Sequence, residues 1–378
     1  MALKFLKKYI KKNLPSLFRY LINIRDNNLF IKKLRQYFKF SLNKNIHGVK
    51  IIEKERGILF DFTSSNYTSL SFRPKFEKDF QKKGENSNNN DVAIIIQGAL
   101  YGLEFFVKQT IEIYRKNFPN TKIILTVWED EISENFKKKI SDKVDLIINK
   151  KPKNIDHSVD LQIVNTNSAV LHAKKEGIKY CLKTRTDCRI YKSSSINFLK
   201  NLISIFPLKK ECTASSRIIS CAIDTRKYRV YGLSDILIFG ETADVEKYFL
   251  NESFENSLEK YSFGKHPLII KDTAVINEIF LCARYLKNLN KKLDWTLDDW
   301  WKSLSDYFCI VDPGAIDFFW YKYHWQFEQR FVTNYTSDLD FAVEFSDWLK
   351  LYCNPESKFS LKFQEKWQIE NGQIVSKK

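Results

Sequence analysis

Apolar and polar positions switch between two periods along this chain, and the switches mark its elements. VAIII (92–96) is an unbroken apolar run, as expected of a strand covered on both faces, and it ends in Gln97-Gly98. Leu103, Phe106, Val107, Thr110, Ile111 and Tyr114 then recur at helical spacing over 103–117. KIILTVW (122–128) predicts a second strand, 132–140 a helix, VDLII (144–148) a third strand, 160–176 a helix and YCLKT (180–184) a fourth strand. Strand-helix alternation with short connections predicts parallel strands joined by right-handed crossovers, with helices on both faces. Further on, RIISCAI (217–223), YRVYG (228–232) and DILIFG (235–240) predict short strands, followed by helices near 242–250 and 272–287.

The first residues follow a different pattern. Leu3, Leu6, Ile10, Leu14, Leu17, Leu21 and Ile24 make one helical stripe, with Lys7, Lys8, Lys11 and Lys12 on the other faces and Pro15 dividing the segment. Residues 1–40 hold eleven Lys and Arg against one acid, Asp26, and so carry most of the formal net charge of +17. Such an arm can lie in a headgroup layer with its lysines on anionic lipid, or pack on its own domain. Nucleic acid is not expected as a partner, because only charge argues for it and no recognition module is present. VKIIEKERGILFDF (49–62) predicts a hairpin, and QKKGENSNNND (81–91) a linker.

A length of 378 residues, 44% hydrophobic and 28% charged, fits a globular chain of two domains or one large α/β domain with appendages. The organisation read here is a basic helical arm (1–45), an accessory hairpin and linker (46–90), a catalytic domain (91–335) and an aromatic-rich extension (336–378). Seven cysteines without CxxC or finger spacing predict reduced thiols and a cytosolic location. No apolar run reaches the ~18–20 residues that cross a bilayer. Seven of the eight tryptophans lie at or beyond Trp295, either as a wall that stacks on flat ligands or as plain core.

In an open parallel sheet, ligands bind beyond the carboxyl ends of the strands. The candidates are therefore Gln97 and Gly98 after the first strand, Glu129 and Asp130 after the second, and Thr184-Arg185-Thr186-Asp187 after the fourth. Neither GxGxxG nor GxxxxGK[ST] occurs in these positions, which argues against a dinucleotide fold and a P-loop NTPase. Asp187 at a strand end can hold Mg²⁺ or Mn²⁺ against diphosphate oxygens, or can cap a turn. Of Lys183 and Arg185, only one is expected to face the site.

VAIIIQGAL (92–100), QTIEIYRKNFPNTKIILTVWEDE (109–131), DLQIVNTNSAVLHAKKEGIKYCLKTRTD (160–187) and SDILIFGETADVEKYF (234–249) together resemble the WavE lipopolysaccharide synthesis family. That family is similar to glycosyltransferases of GT-A fold. The resemblance spans about 90–250 strongly and weakens toward 330. It implies a GT-A-like (Rossmann-like) fold, a nucleotide-sugar donor and a lipid-linked surface glycan as acceptor. Gln97, Gly98, Glu129, Asp130, Lys183 and Arg185 would then surround the nucleotide sugar. Gln162, Asn165 and Asn167 match the family's polar helix, with Leu161 where the family has an Arg. Arg185 and Asp187 match its R-[ST]-D signature, a one-carboxylate form of the DxD metal motif with Mn²⁺ or Mg²⁺ as cofactor, and Ser234-Asp235 match its S-D.

Transfer from an activated sugar needs a diphosphate clamp and, in an inverting enzyme, a base. Asp235, Asp272 and Glu278 are the candidate bases, and His266 and His324 lesser metal candidates. The reading is a cytoplasmic glycosyltransferase peripheral to the inner membrane. Its rivals are a scaffold or glycan-binding protein without catalysis, and a nucleotidyl- or phosphotransferase of similar fold.

Overall fold

The computed structural model describes residues 89–152, 158–208, 212–250, 277–321 and 342–359, with backbone alone at 367–370 and 373–376. The basic arm, the hairpin at 49–62, nearly all of the linker, Asp272, His266 and His324 lie outside the described residues.

The strands, in chain order, are β1 Val92–Gln97, β2 Lys122–Trp128, β3 Asp145–Asn149, β4 Tyr180–Arg185, β5 Cys188–Ile190, β6 Ile218–Cys221, β7 Ile238–Glu241, β8 Phe308–Val311, β9 Phe318–Trp320, β10 Trp367–Glu370 and β11 Gln373–Ser376. Seven of them form one sheet in the order β3-β2-β1-β4-β7-β6-β8. β1 sits between β2 and β4, parallel to both and buried at every position, which is why its sequence is a continuous apolar run. Within this sheet only β7 runs against the others. β5 and β9 pair as a separate antiparallel ribbon, and β10 and β11 as another. The helices are α1 Glu104–Asn117, α2 Glu134–Ile140, α3 Ser158–Lys175, α4 Ser195–Ile205, α5 Thr242–Tyr248, α6 Asn277–Asn288, α7 Leu297–Tyr307 and α8 Phe345–Cys353. The protein is thus α/β, a mostly parallel sheet flanked by helices, as expected of a GT-A-like architecture.

Register decides which side chains meet. Gln97 pairs with Thr126 on one side and with Arg185 on the other, so these three share one face at the carboxyl edge. Thr126 donates to the Asn165 carbonyl (3.1 Å), which identifies α3 as the helix covering that face. Lys183, two residues before Arg185, points the same way. The expectation that only one of this pair faces the site is corrected by this period of two.

Two strand expectations are also corrected. YRVYG (228–232) is a turn: Gly232 donates to the Arg229 carbonyl (2.9 Å), and Tyr231 has φ 55°. Tyr228, Val230 and Tyr231 are all buried, so the segment lacks the alternation of a half-covered strand. DILIFG becomes a strand only at Ile238. The residues before it are held locally, with Ser234 N–H donating to Thr225 Oγ1 (3.1 Å) and Ser220 Oγ to the Ser234 carbonyl (2.7 Å).

Among the described residues, Trp300, Trp301 and Trp348 serve the core. All three are buried, and their indoles donate to the carbonyls of Arg226 (2.9 Å), Lys227 (2.7 Å) and Phe308 (2.8 Å). Buried Arg217 donates to the carbonyls of Ser305, Phe308, Phe206 and Pro207 and lies over the Tyr352 ring at 4.8 Å. It fastens α8 to the end of α7, so residues 343–359 belong to the same core as the sheet. Trp320, also in the core, differs in that its indole reaches Asp187.

Candidate functional site

The carboxyl ends of β1, β2 and β4 bring Gln97, Glu129 and Arg185 to one edge of the sheet. β7 runs the other way, so the same edge receives the residues that precede it, Ser234 and Asp235. The Lys183 ammonium, fully buried, donates to the Asp235 carbonyl and ties the two strands together there. Burial pushes the Lys183 ammonium down to about 8, with Asp235 opposing the shift.

Asp187 is held from three sides. Arg185 Nε donates to its Oδ1 (2.9 Å) and Arg185 Nη2 to its Oδ2 (3.2 Å), a fork-on-fork pair. The Trp320 indole N–H donates to Oδ2 (2.9 Å), and Tyr321 N–H donates to the Asp187 carbonyl (2.8 Å). Both of these come from the β5–β9 ribbon, in which Cys188 pairs with Trp320. Burial alone would raise the Asp187 carboxyl. The Arg185 guanidinium, with the indole and the Cys188 thiol, outweighs burial and holds the carboxyl below its ordinary range. The Arg185 side chain is 30% exposed, its Nη1 has no partner among the described residues, and its guanidinium lies 5.7 Å from the Trp320 ring.

Glu278 approaches the same edge from α6. Ser158 Oγ donates to Asn277 Oδ1 (3.3 Å), joining the starts of α3 and α6. Desolvation, with the neighbouring Asp235 carboxylate adding to it, pushes the half-buried Glu278 carboxyl up to about 7. A carboxyl poised there can take or give a proton at neutral pH. Of the three candidate bases, Asp235 and Glu278 are among the described residues, and the Asp235 carboxylate acts electrostatically on Glu278.

The remaining candidates divide. The close approach permitted by Gly98 (φ 139°) is to the chain itself, because a Cβ there would stand 2.8 Å from Thr186 Oγ1. Thr186 N–H donates to the Gln97 carbonyl (3.0 Å) and its hydroxyl to the Ala99 carbonyl (2.7 Å), stapling the ends of β1 and β4. Gly98→Ala should therefore lower stability by about 1–3 kcal/mol, read as a drop in melting temperature. Thr186→Ala in the same chain should recover part of the loss, and an unchanged melting point for Gly98→Ala would show that the contact yields.

Glu129 and Asp130 are exposed, and Asp130 pairs with Lys151 (2.7 Å). The better-placed carboxylate of that loop is Glu131, passed over in the sequence. It accepts from Leu100 N–H (2.9 Å) and from Lys151 (2.7 Å), joining the loops after β1 and β2. Asn165 is tied to the fold through its Oδ1, which accepts from Asn149 Nδ2 (2.7 Å) beneath the ends of β2 and β3, while its Nδ2 has no partner among the described residues. Asn167 lies some 200° round the helix from Asn165. Gln162, one turn nearer the start of α3, is buried, and its Nε2 has no partner among the described residues.

The residues present do not fit a divalent ion on Asp187. Each of its oxygens already accepts from a guanidinium nitrogen, and a cation there would displace the indole or confront the Arg185 charge. Among the described residues, no group of three His, Cys, Asp or Glu converges as a metal site.

No protein-family model matches the chain, and neither does any curated protein. Among the solved structures to which the chain is similar are the following three. A cytidylyltransferase from Leptospira borgpetersenii serovar Hardjo-bovis is 12% identical over 42% of this chain and 63% of its own, with a TM-score of 0.29. HddC from Yersinia pseudotuberculosis is 13% identical over 45% of this chain and 86% of its own, TM-score 0.29. A glycosyltransferase involved in glycosylation of the major capsid of PBCV-1 is 10% identical over 41% of this chain and 62% of its own, TM-score 0.24. The chain thus spans less than two thirds of the first of these. Likenesses this distant leave the fold to rest on its own strand order.

Proposed function

We propose that the protein is a glycosyltransferase that moves a sugar from a nucleotide sugar to a bacterial surface glycan, as the resemblance to the WavE family implies. One observation carries the reading. A partly exposed cation, Arg185, and a proton acceptor poised near neutrality, Glu278, lie at the carboxyl edge of a mostly parallel sheet, with the Asp235 carboxylate acting electrostatically on both. The acceptor hydroxyl attacks the anomeric carbon and gives its proton to Glu278. The bond from that carbon to the diphosphate oxygen breaks, and its electron pair leaves with the diphosphate. The arm at 1–40 would hold the enzyme on anionic lipid, where a lipid-linked acceptor is displayed.

Incubating the full chain with a panel of nucleotide sugars and glycolipid-bearing anionic vesicles tests this. The expected result is release of a nucleoside diphosphate, reduced when residues 1–40 are deleted. Pyrophosphate released from a nucleoside triphosphate and a sugar phosphate would replace the reading with nucleotidyl transfer. The absence of any turnover or nucleotide binding would favour a scaffold.

A further inference from the structure

The geometry points to a nucleoside diphosphate held by protein cations in place of a divalent ion, with Asp187 serving as the positioning residue of Arg185. This rests on the nucleotide-sugar reading above. A carboxylate that ligates a metal must offer it a lone pair. Asp187 Oδ1 already faces Arg185 Nε and the Cys188 thiol (3.5 Å), and Oδ2 faces Arg185 Nη2 and the Trp320 indole. With this many donors around it, the carboxylate looks toward the protein.

The guanidinium looks outward. Asp187 engages only its Nε–Nη2 edge and leaves Nη1 without a partner among the described residues, on a side chain 30% exposed. A guanidinium fixed along one edge and open along the other is preorganised for phosphate oxygens. The Trp320 ring at 5.7 Å adds cation–π support to that orientation.

Behind Arg185 lie one further cation and one neutral amide donor, both buried. Lys183 places a buried ammonium on the same face as Arg185. Gln162 is 7% exposed with an unpartnered Nε2. It lies one helical turn closer to the carboxyl edge than Asn165, whose carbonyl meets Thr126 beside Gln97. A fixed guanidinium edge open to a leaving diphosphate, with a buried positive charge behind it, supplies the charge stabilisation for which a metal is otherwise recruited.

Calorimetric titration of the full chain with UDP, GDP, CDP and ADP, once in EDTA and once with Mn²⁺, tests the proposal. At least one nucleotide should bind in EDTA with a dissociation constant within about twofold of its Mn²⁺ value. Arg185→Ala should weaken that binding by about ten- to a hundredfold. Arg185→Lys, which keeps the charge but loses the fork, should fall between and serves if the alanine variant does not fold. Asp187→Asn should weaken binding by the same factor in both buffers. Binding that requires Mn²⁺, or an Asp187→Asn defect confined to Mn²⁺, would overturn the cation clamp while leaving the nucleotide reading intact. Binding in neither buffer would overturn both.

Discussion

Asp187→Asn should melt several degrees below the parent protein and lose most of its transfer activity. An amide has the size of a carboxylate, so packing survives, but one of its two arms is now a donor. That arm must face Arg185 Nη2 with the Trp320 indole, or Arg185 Nε, all of them donors. The guanidinium loses its counter-charge in a largely buried setting, since the Asp187 side chain is only 9% exposed. Breaking such a pair costs about 2–4 kcal/mol. Because the folded-state carboxyl sits below its unfolded value, its stabilisation is full above the ordinary carboxylate range and is lost as pH falls through the lower, folded value. The variant should therefore show less loss of stability on acidification than the parent does. Matching melting curves for the two proteins from neutral to acid pH would remove the clamp from the account.

Glu278→Gln should behave in the opposite way toward stability. The parent carboxyl is raised to about 7 by desolvation and by Asp235. Between its ordinary value and about 7 the folded protein therefore binds more protons than the unfolded chain, and stability falls as pH rises across that interval. The amide removes this slope, so the variant should melt at or above the parent at pH about 8. Its transfer rate should fall about 10²- to 10⁴-fold, the range for a lost proton acceptor. In the parent, the rate should climb with pH through about 7. Asp235→Asn should shift that limb to lower pH by removing a neighbouring carboxylate. A parent-like rate in Glu278→Gln, or a limb that ignores Asp235, would assign the base elsewhere.

How much of this was legible in the sequence depended on distance along the chain. β1 to β4 and their crossover helices were readable because buried parallel strands need apolar runs and covering helices need period-3.6 stripes. The strand ends followed, and with them Gln97, Arg185 and Asp187. β7 starts three residues later than its pattern predicts, because Ile236-Leu237 extend the apolar run while Ser234 is held by Ser220 and Thr225 and the Asp235 carbonyl by Lys183. The indole partner of Asp187 could not be read at all. Trp320 lies 133 residues away, on a three-residue strand with no periodicity of its own. Glu131 was overlooked beside Glu129 and Asp130, because a local run of acids does not say which one turns back to meet Leu100.

The reversed direction of β7 has a consequence for what holds Asp235. A forward strand delivers its terminal residue to the edge with the precision of the sheet, and Arg185 is placed in that way. Asp235 instead hangs from the incoming loop, whose length is uncoupled from the sheet's register. Arg185 is thus set by the rigid frame, whereas Asp235 is set by the bonds that pin its loop, so a change at Ser220, Thr225 or Lys183 should move Asp235 while leaving Arg185 in place.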